Sequence, residues 1–487
     1  MDKYKIAPDI QAKIKAAWNN NIELNEEVTK GLRPYQIEDC KFIASHKYVG
    51  CFNEQRTGKT PTAIRAYISK GLKNILIVCP ASAVFQWKEE WEKWSGTKAI
   101  AVSGTQTQRK KLYDEWMTKD CPLIISYDTL KNTKTSEFDL DIILKKNIQG
   151  IICDEGHRFR NVQTAVHTSI MKFKNVPNKL VLTGTPAPNK PEEVYGILHF
   201  LYPDIFTSYW RFIDYYFGTV EQFIPTHTGL KTVKVPGRGT PARRKELVEF
   251  LSHISTQRKR QEVLTWLPPK TYQQVKLPLT TEQDKYIHEL QEFFETEDLV
   301  TSNNLDRLIK TRQICNAPSL VGLKGKSPKI DWLKQYIKDY PDQPIIVFSK
   351  FTKFLKLISE ELGIEHMIIG ETPKEVRNQY KKMFQDGDIN VLLINIDAGK
   401  EALTLDRAET AIFLDKYPPA GDIQQAEDRF VATTEDKKDK QHLIIEVMMK
   451  DSYDEKIYDM VRKGFEVTQI INDYNKYLEE RKEQHGK

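Results

Sequence analysis

The chain has 487 residues, 40% hydrophobic and 29% charged, which supplies apolar material for two or three folded units and excludes a lone small module or a mainly disordered chain. Its 73 Lys/Arg against 67 Asp/Glu leave a net charge of +6, too mild for a histone-like polycation and compatible with a local basic surface. The cysteines, Cys40, Cys51, Cys79, Cys121, Cys153 and Cys315, form no C-x-x-C pair, so neither a zinc site nor a disulfide framework is expected.

The N-terminus, Met1 to Lys5, leads into no apolar h-region, and apolar runs elsewhere are broken by Pro or charge short of membrane-spanning length. The expectation is a cytoplasmic protein. Tyr48–Phe52 reads as a strand, Asn53-Glu54-Gln55-Arg56-Thr57-Gly58-Lys59-Thr60 as a tight loop, and Pro61–Ile68 as a helix. Such a loop aims backbone N–H groups and a helix dipole at an anion, while Lys59 reaches terminal phosphates and the Thr60 hydroxyl ligates Mg²⁺. The Gly that a full Walker pattern wants is Asn53 here.

Asn74–Cys79 and Pro122–Ser126 follow as short apolar strands, separated by a helical stretch, Ala83–Trp94, whose Val84, Trp87, Trp91 and Trp94 recur at helical spacing and read as packing surface. Gly150–Cys153 is a third such strand, and it ends in Asp154-Glu155-Gly156-His157. Two carboxylates at the C-terminal edge of a parallel sheet lie where ligands bind; Asp154 can hold Mg²⁺ and Glu155 can orient or deprotonate an attacking water. Lys179–Leu182 is a strand followed by Thr183-Gly184-Thr185-Pro186, a turn of small hydroxyl residues suited to sensing hydrolysis.

Residues 225–275 then carry ten Lys/Arg and three Asp/Glu, an excess of seven that exceeds the charge of the whole chain. The Gly/Pro/Thr-rich opening, Pro225–Pro241, predicts an exposed loop or β-ribbon. Pro344–Phe348, Asn390–Ile394 and Thr410–Leu414 complete a second group of strands. Strands alternating with helices over about 45–200 and again over 340–450 predict two doubly wound α/β units.

The order of motifs resembles that of the Swi/Snf-type ATPases of helicase superfamily two. The resemblance rests on Gly31-Leu32-Arg33-Pro34-Tyr35-Gln36, Gly58-Lys59-Thr60, Asp154–His157, Leu182–Pro186, Leu267–Lys270, Arg312–Pro318, Val347–Phe351 and Gln424–Arg429, spanning residues 30–465. It implies two RecA-like parallel-sheet lobes with a mainly helical, family-specific insertion: an N-terminal helical extension over 1–30, an ATP-binding lobe over 31–205, the insertion with its basic loop over 206–325, a second lobe over 326–465, and a charged helix over 466–487. It implies ATP and Mg²⁺ as cofactors. Nucleotide contacts would come from Gln36, Arg56, Thr57, Gly58, Lys59 and Thr60, metal contacts from Thr60 and Asp154, and catalysis from Glu155 and an arginine finger, Arg429.

The activity implied is a DNA-stimulated ATPase that translocates on double-stranded DNA, remodelling branched DNA or protein–DNA complexes in replication, recombination or repair, in a compact phage or bacterial form. Its partner would be double-stranded or branched DNA, and the protein would be a monomer. DNA contacts would come from the turn after Cys79-Pro80, from Ser126 to Thr129, Ser349, Lys350, Phe351 and Thr404; the charge excess adds Arg243, Arg244 and Lys245. Three departures from the family pattern stand out. Arg56 replaces a common Gly, Lys400 and Ala402 replace glycines, and Ala432 occupies the place of a second arginine, for which Lys437 or Lys438 is a candidate substitute. These departures keep open a nucleotide-dependent DNA clamp with degenerate hydrolysis; an RNA helicase is the third reading.

Overall fold

The computed structural model describes residues 14, 22–131, 137–184, 186–187, 191–226, 229–264, 270–296, 304–398, 405, 407–417, 423, 426–427, 442–463, 470 and 473–474. The chain divides into two units, residues 1–265 and 266–487.

The first unit carries β1 (Tyr48–Cys51), β2 (Ile75–Cys79), β3 (Ile100–Ala101), β4 (Leu123–Ser126), β5 (Gly150–Asp154), β6 (Lys179–Leu182), the hairpin β7 (Thr219–Thr226) and β8 (Gly229–Pro236), and β9 (Ser255–Thr256). All but the hairpin join one sheet in the order β3-β4-β2-β5-β6-β1-β9, every pairing parallel. Its strands are apolar at successive positions because both faces are covered. Leu76, Val78, Ile125, Cys153 and Val181 enter one core, while Ile75, Ile77, Cys79, Ile124, Ile152 and Leu182 enter the other. The helices that matter for the site are α1 (Pro34–Ser45), α2 (Lys59–Ser69), α3 (Val84–Ser95), α4 (Tyr209–Tyr216) and α5 (Pro241–Ile254).

Of the two alternatives for the Gly/Pro-rich segment, the ribbon is the one formed: Thr219 to Thr226 pair antiparallel with Pro236 to Gly229. Its base is closed by Gly237 N to Gly218 O at 2.9 Å and Gly239 N to Phe217 O at 2.7 Å. Gly239 has φ +63°, and a Cβ there would lie 2.1 Å from Tyr216 O, so no other residue fits without moving backbone.

The second unit holds β10 (Lys270–Leu277), β11 (Ile345–Ser349), β12 (Met367–Ile368), β13 (Val391–Asn395), β14 (Thr410–Phe413) and β15 (His442–Met449), in a parallel sheet ordered β10-β15-β14-β11-β13-β12. Ile346, Phe348, Leu392, Ile394 and Phe413 line one face, and Ile345, Val347, Leu393, Ile412 and Val447 the other. The helix α6 (Asn304–Asn316) also belongs to this unit. β10 is invisible to hydropathy because it is a polar edge strand, KTYQQVKL, most of whose side chains face solvent. The segment 206–325 is therefore divided: β9 extends the first sheet and β10 the second. Among the described residues no helix is long and apolar enough to cross a membrane.

Candidate functional site

Three motifs meet on the first sheet through strand register alone. Cys51, the last residue of β1, lies opposite Leu182 of β6, and Leu182 lies opposite Asp154 of β5. Since the strands are parallel, the loops that follow them, Asn53–Thr60, Thr183–Gly184 and Asp154–His157, leave from one edge of the sheet, the edge where α/β folds bind ligands.

The phosphate-type loop is held from below by α1. Tyr35 Oη donates to Thr57 O at 2.9 Å and Gln36 Nε2 to the same carbonyl at 3.2 Å, while Gln36 Oε1 accepts from Arg33 N at 2.8 Å. Gln36 is buried, and its amide braces the loop and caps α1. Gly58, which opens α2, has φ +75°; a Cβ would stand 2.0 Å from Gln36 Nε2. Both the left-handed backbone and the closeness of the bracing amide favour glycine there. No side chain caps the N-terminus of α2, whose first-turn N–H groups and dipole favour an anion.

Lys59 Nζ donates to Asn53 O at 2.9 Å and Glu54 O at 3.1 Å, so the ammonium lies across the mouth of the loop. Thr57 is buried with its hydroxyl on Glu54 O at 2.8 Å, and shapes the loop from within. Arg56 has φ +64°, in the left-handed region that costs an L-residue about 1–2 kcal/mol. The glycine common at this position in the resembling family would adopt that conformation freely.

Asp154 accepts from Trp87 Nε1 at 2.8 Å and from Glu155 N at 2.9 Å. Burial, reinforced by the Glu155 charge, pushes its carboxyl up to about 6. Glu155 is itself in the left-handed region, φ +50°, a strained conformation for a non-glycine residue. Its Oε2 lies 3.2 Å from His157 Nδ1, and that nitrogen lies 3.4 Å from Thr183 Oγ1. A chain of contacts thus runs from the acidic pair to the turn after β6. Tyr127, buried, fixes the backbone beneath by donating to Asp154 O at 2.7 Å. Hydropathy alone gave Trp87 and Tyr127 no role at this edge; only the crossing of α3 and the end of β4 over β5 brings them there.

A Mg²⁺–nucleotide fits these groups. Among the described residues no three His, Cys, Asp or Glu side chains gather into a metal cage. One carboxylate, one hydroxyl and phosphate oxygens are the donor set that Mg²⁺ ordinarily takes.

The proposed DNA-contacting residues differ in setting. Ser126 is buried, and its Oγ accepts from Thr129 N at 3.0 Å to cap a short turn. Arg243 lies 3.9 Å over the Tyr215 ring and bonds Glu246 Oε2 at 3.0 Å, whereas Arg244 and Lys245 stand exposed on α5. In the second unit Lys350 Nζ pairs with Asp397 Oδ1 at 2.6 Å, and Phe351 packs under the Arg312 guanidinium at 4.8 Å. The turn is held by Asp415, which accepts from Lys350 N at 3.0 Å and bonds Ser349 Oγ. Arg429, Thr404, Lys400, Ala402, Ala432, Lys437, Lys438 and Leu267–Pro269 lie outside the described residues.

Comparison with known proteins matches residues 14–320 to the SNF2-related domain and residues 328–433 to the helicase conserved C-terminal domain. Chromodomain-helicase-DNA-binding protein 1-like of Danio rerio is 25% identical over 90% of this chain and 44% of its own length. DNA annealing helicase and endonuclease ZRANB3 of Bos taurus is 26% identical over 88% of this chain and 39% of its own. An uncharacterized ATP-dependent helicase of Mycoplasma pneumoniae is 26% identical over 86% and 40%. The chain thus spans less than half the length of these relatives. Among solved structures, the Sulfolobus solfataricus SWI2/SNF2 ATPase core in complex with dsDNA aligns with a TM-score of 0.42 at 22% identity, covering 91% of this chain and 93% of that one.

Proposed function

The chain belongs to the SNF2-related family, and from that premise we propose that it is an ATP-hydrolysing motor that moves on double-stranded DNA and remodels branched DNA or protein–DNA complexes. The observation that carries the ATPase reading is the register that lines up Cys51, Leu182 and Asp154, and with them the loops bearing Lys59, Thr183 and Glu155. The matched relatives, named as DNA-binding and DNA-annealing helicases, support DNA as the partner.

In this reading the loop N–H groups and Lys59 hold the β- and γ-phosphates, Thr60 and Asp154 hold the metal, and Gln36 keeps the loop in place. When bound, Mg²⁺ neutralises charge between the phosphates. Glu155 orients a water and accepts its proton; His157 keeps that carboxylate in position and relays its state to Thr183. The Asp154–Trp87 hydrogen bond favours the ionised carboxyl against its burial.

The branched-DNA preference draws on the likeness to a protein named as a DNA annealing helicase, an activity that acts where strands part, and on the exposed Arg244 and Lys245 of α5. Steady-state ATPase assays with no DNA, single strand, linear duplex, a fork and a four-way junction test the reading. Stimulation by duplex, strongest with fork or junction, is expected. Nucleotide binding without turnover on any DNA would favour the clamp reading instead, and stimulation by RNA alone would favour an RNA helicase.

A further inference from the structure

The stretch of the basic segment that follows α5 is built into the phosphate loop. β9 follows α5 directly and adds to the edge of the first sheet beside β1, pairing Gly50 with Ser255 and Cys51 with Thr256. Beyond the sheet the two strands stay zipped: Phe52 N donates to Thr256 O at 2.8 Å, Glu54 N to Arg258 O at 2.9 Å, and Arg260 N to Glu54 Oε2 at 2.8 Å. Glu54 O and Asn53 O are also the carbonyls that receive Lys59 Nζ.

A side-chain path runs alongside. Arg258 Nε donates to Asp39 Oδ1 at 3.0 Å and Nη2 to Glu38 Oε2 at 2.8 Å. Asp39, 1% exposed on α1, accepts from Asn53 Nδ2 at 2.7 Å through its other oxygen. Asn53 Oδ1 has no hydrogen-bond partner among the described residues, so the amide that stands where a Walker loop has glycine is held by Asp39 alone. Burial pushes the Asp39 carboxyl up, and Asn53 and Arg258 oppose that rise. Without the guanidinium, a buried carboxylate would be left facing the loop with an amide as its one strong donor.

We propose that Arg258 is a positioning residue for ATP hydrolysis: through Asp39 and Asn53 it ties the strand that follows α5 to the phosphate loop, and so passes the state of DNA held on α5 to Lys59. This rests on the ATPase and DNA reading above. It assigns to one arginine of the charged run a task inside the nucleotide site, in place of a phosphate contact on DNA. The elements are close enough for the task, since only Ser255, Thr256 and Gln257 separate the end of α5 from Arg258. A displacement of α5 moves the paired backbones of β9 and β1, and the short Arg258–Asp39–Asn53 path hands that movement to the loop without a long chain of side chains.

The test is a comparison of the wild type with Arg258→Ala, Arg258→Lys and the double variant Arg258→Ala/Asp39→Asn. For each, melting temperature, affinity for a fluorescent ATP analogue, affinity for a labelled duplex, and the ratio of duplex-stimulated to basal ATPase are measured. Arg258→Ala is expected to bind duplex as the wild type does, but to lose about tenfold in the stimulation ratio, within the range of allosteric couplings. Arg258→Lys keeps a charge beside Asp39 without the fork that reaches Glu38, and should fall between the two. The double variant removes the stranded carboxylate, so its melting temperature recovers while the ratio stays low.

Recovery of the ratio together with the melting temperature would reduce Arg258 to a neutraliser of a buried charge and overturn the inference. So would a wild-type ratio in Arg258→Ala. A wild type that no duplex stimulates overturns the functional reading itself, which distinguishes the two failures.

Discussion

The indole N–H of Trp87 donates to Asp154 Oδ2 at 2.8 Å, so a helix residue whose spacing marks it as core packing also holds the carboxylate at the sheet edge. The ring is 2% exposed, and its one polar atom is spent on the group whose ionisation the site depends on.

Replacing Trp87 by Phe keeps most of the apolar volume and deletes that donor. Asp154, already raised to about 6 by burial and the neighbouring Glu155, then rises further. Wild-type ATPase at limiting Mg²⁺ should fall as the pH drops through about 6, because the metal-binding form is the ionised one; the midpoint for Trp87→Phe should lie higher. The stability sign is the opposite. A carboxyl raised above its unfolded value binds more protons in the folded state, so at this site acidification through about 6 favours the fold while it silences activity. Parallel pH–rate and pH–melting curves check both directions, and coincident midpoints in the two proteins would remove Asp154 from the metal role.

Lys59→Ala should abolish hydrolysis and weaken ATP binding by removing the ammonium at the loop mouth. Glu155→Gln should leave ATP affinity near wild type and stop turnover, since the amide accepts no proton. Equilibrium binding of an ATP analogue, measured beside steady-state hydrolysis, separates the two. A Glu155→Gln protein that hydrolyses ATP at the wild-type rate sinks the assignment of the acidic pair.

Arg56→Gly relieves a left-handed residue, a gain of about 1 kcal/mol offset in part by the greater freedom of glycine in the unfolded chain. The melting temperature should therefore hold or rise slightly. Arg56→Val, β-branched at the same φ, should lower it, and thermal denaturation of the two variants reads the difference.

Arg244→Glu with Lys245→Glu reverses two exposed charges on α5. Duplex affinity should weaken and its salt dependence become shallower, by about one unit of slope per lost phosphate contact, with the melting temperature unchanged. Arg243→Glu behaves differently, because it breaks the stack on Tyr215 and faces Glu246; it should lower the melting temperature as well. Fluorescence anisotropy titrations at several salt concentrations provide the slopes.

Arg429→Ala, at the position that the family resemblance makes an arginine finger, should slow DNA-stimulated turnover by about 10³-fold with little change in nucleotide affinity. A harmless Arg429→Ala beside a disabling Lys437→Ala or Lys438→Ala would move that role to the lysines.

Local order was legible in the chain because the strands of both sheets are covered on two faces, so that runs such as Ile75–Cys79 and Lys179–Leu182 declare themselves by hydropathy. The loops that carry chemistry declare themselves in turn by standing directly after such runs. Sequence therefore determined two parallel-sheet units, the phosphate-type loop at Lys59 and the acidic pair at Asp154. It said nothing of β10, whose polar side chains face solvent, or of β9, two residues long and recognisable only by what it pairs with. Which residues complete the site was decided by tertiary structure. Register alone brings Thr183 toward His157, the crossing of α3 puts Trp87 on Asp154, and the return of the chain to the sheet edge brings Arg258 to Asp39 across 219 positions of sequence. Composition counts such an arginine as one more positive charge; only its buried acidic partner distinguishes a strut from a surface contact.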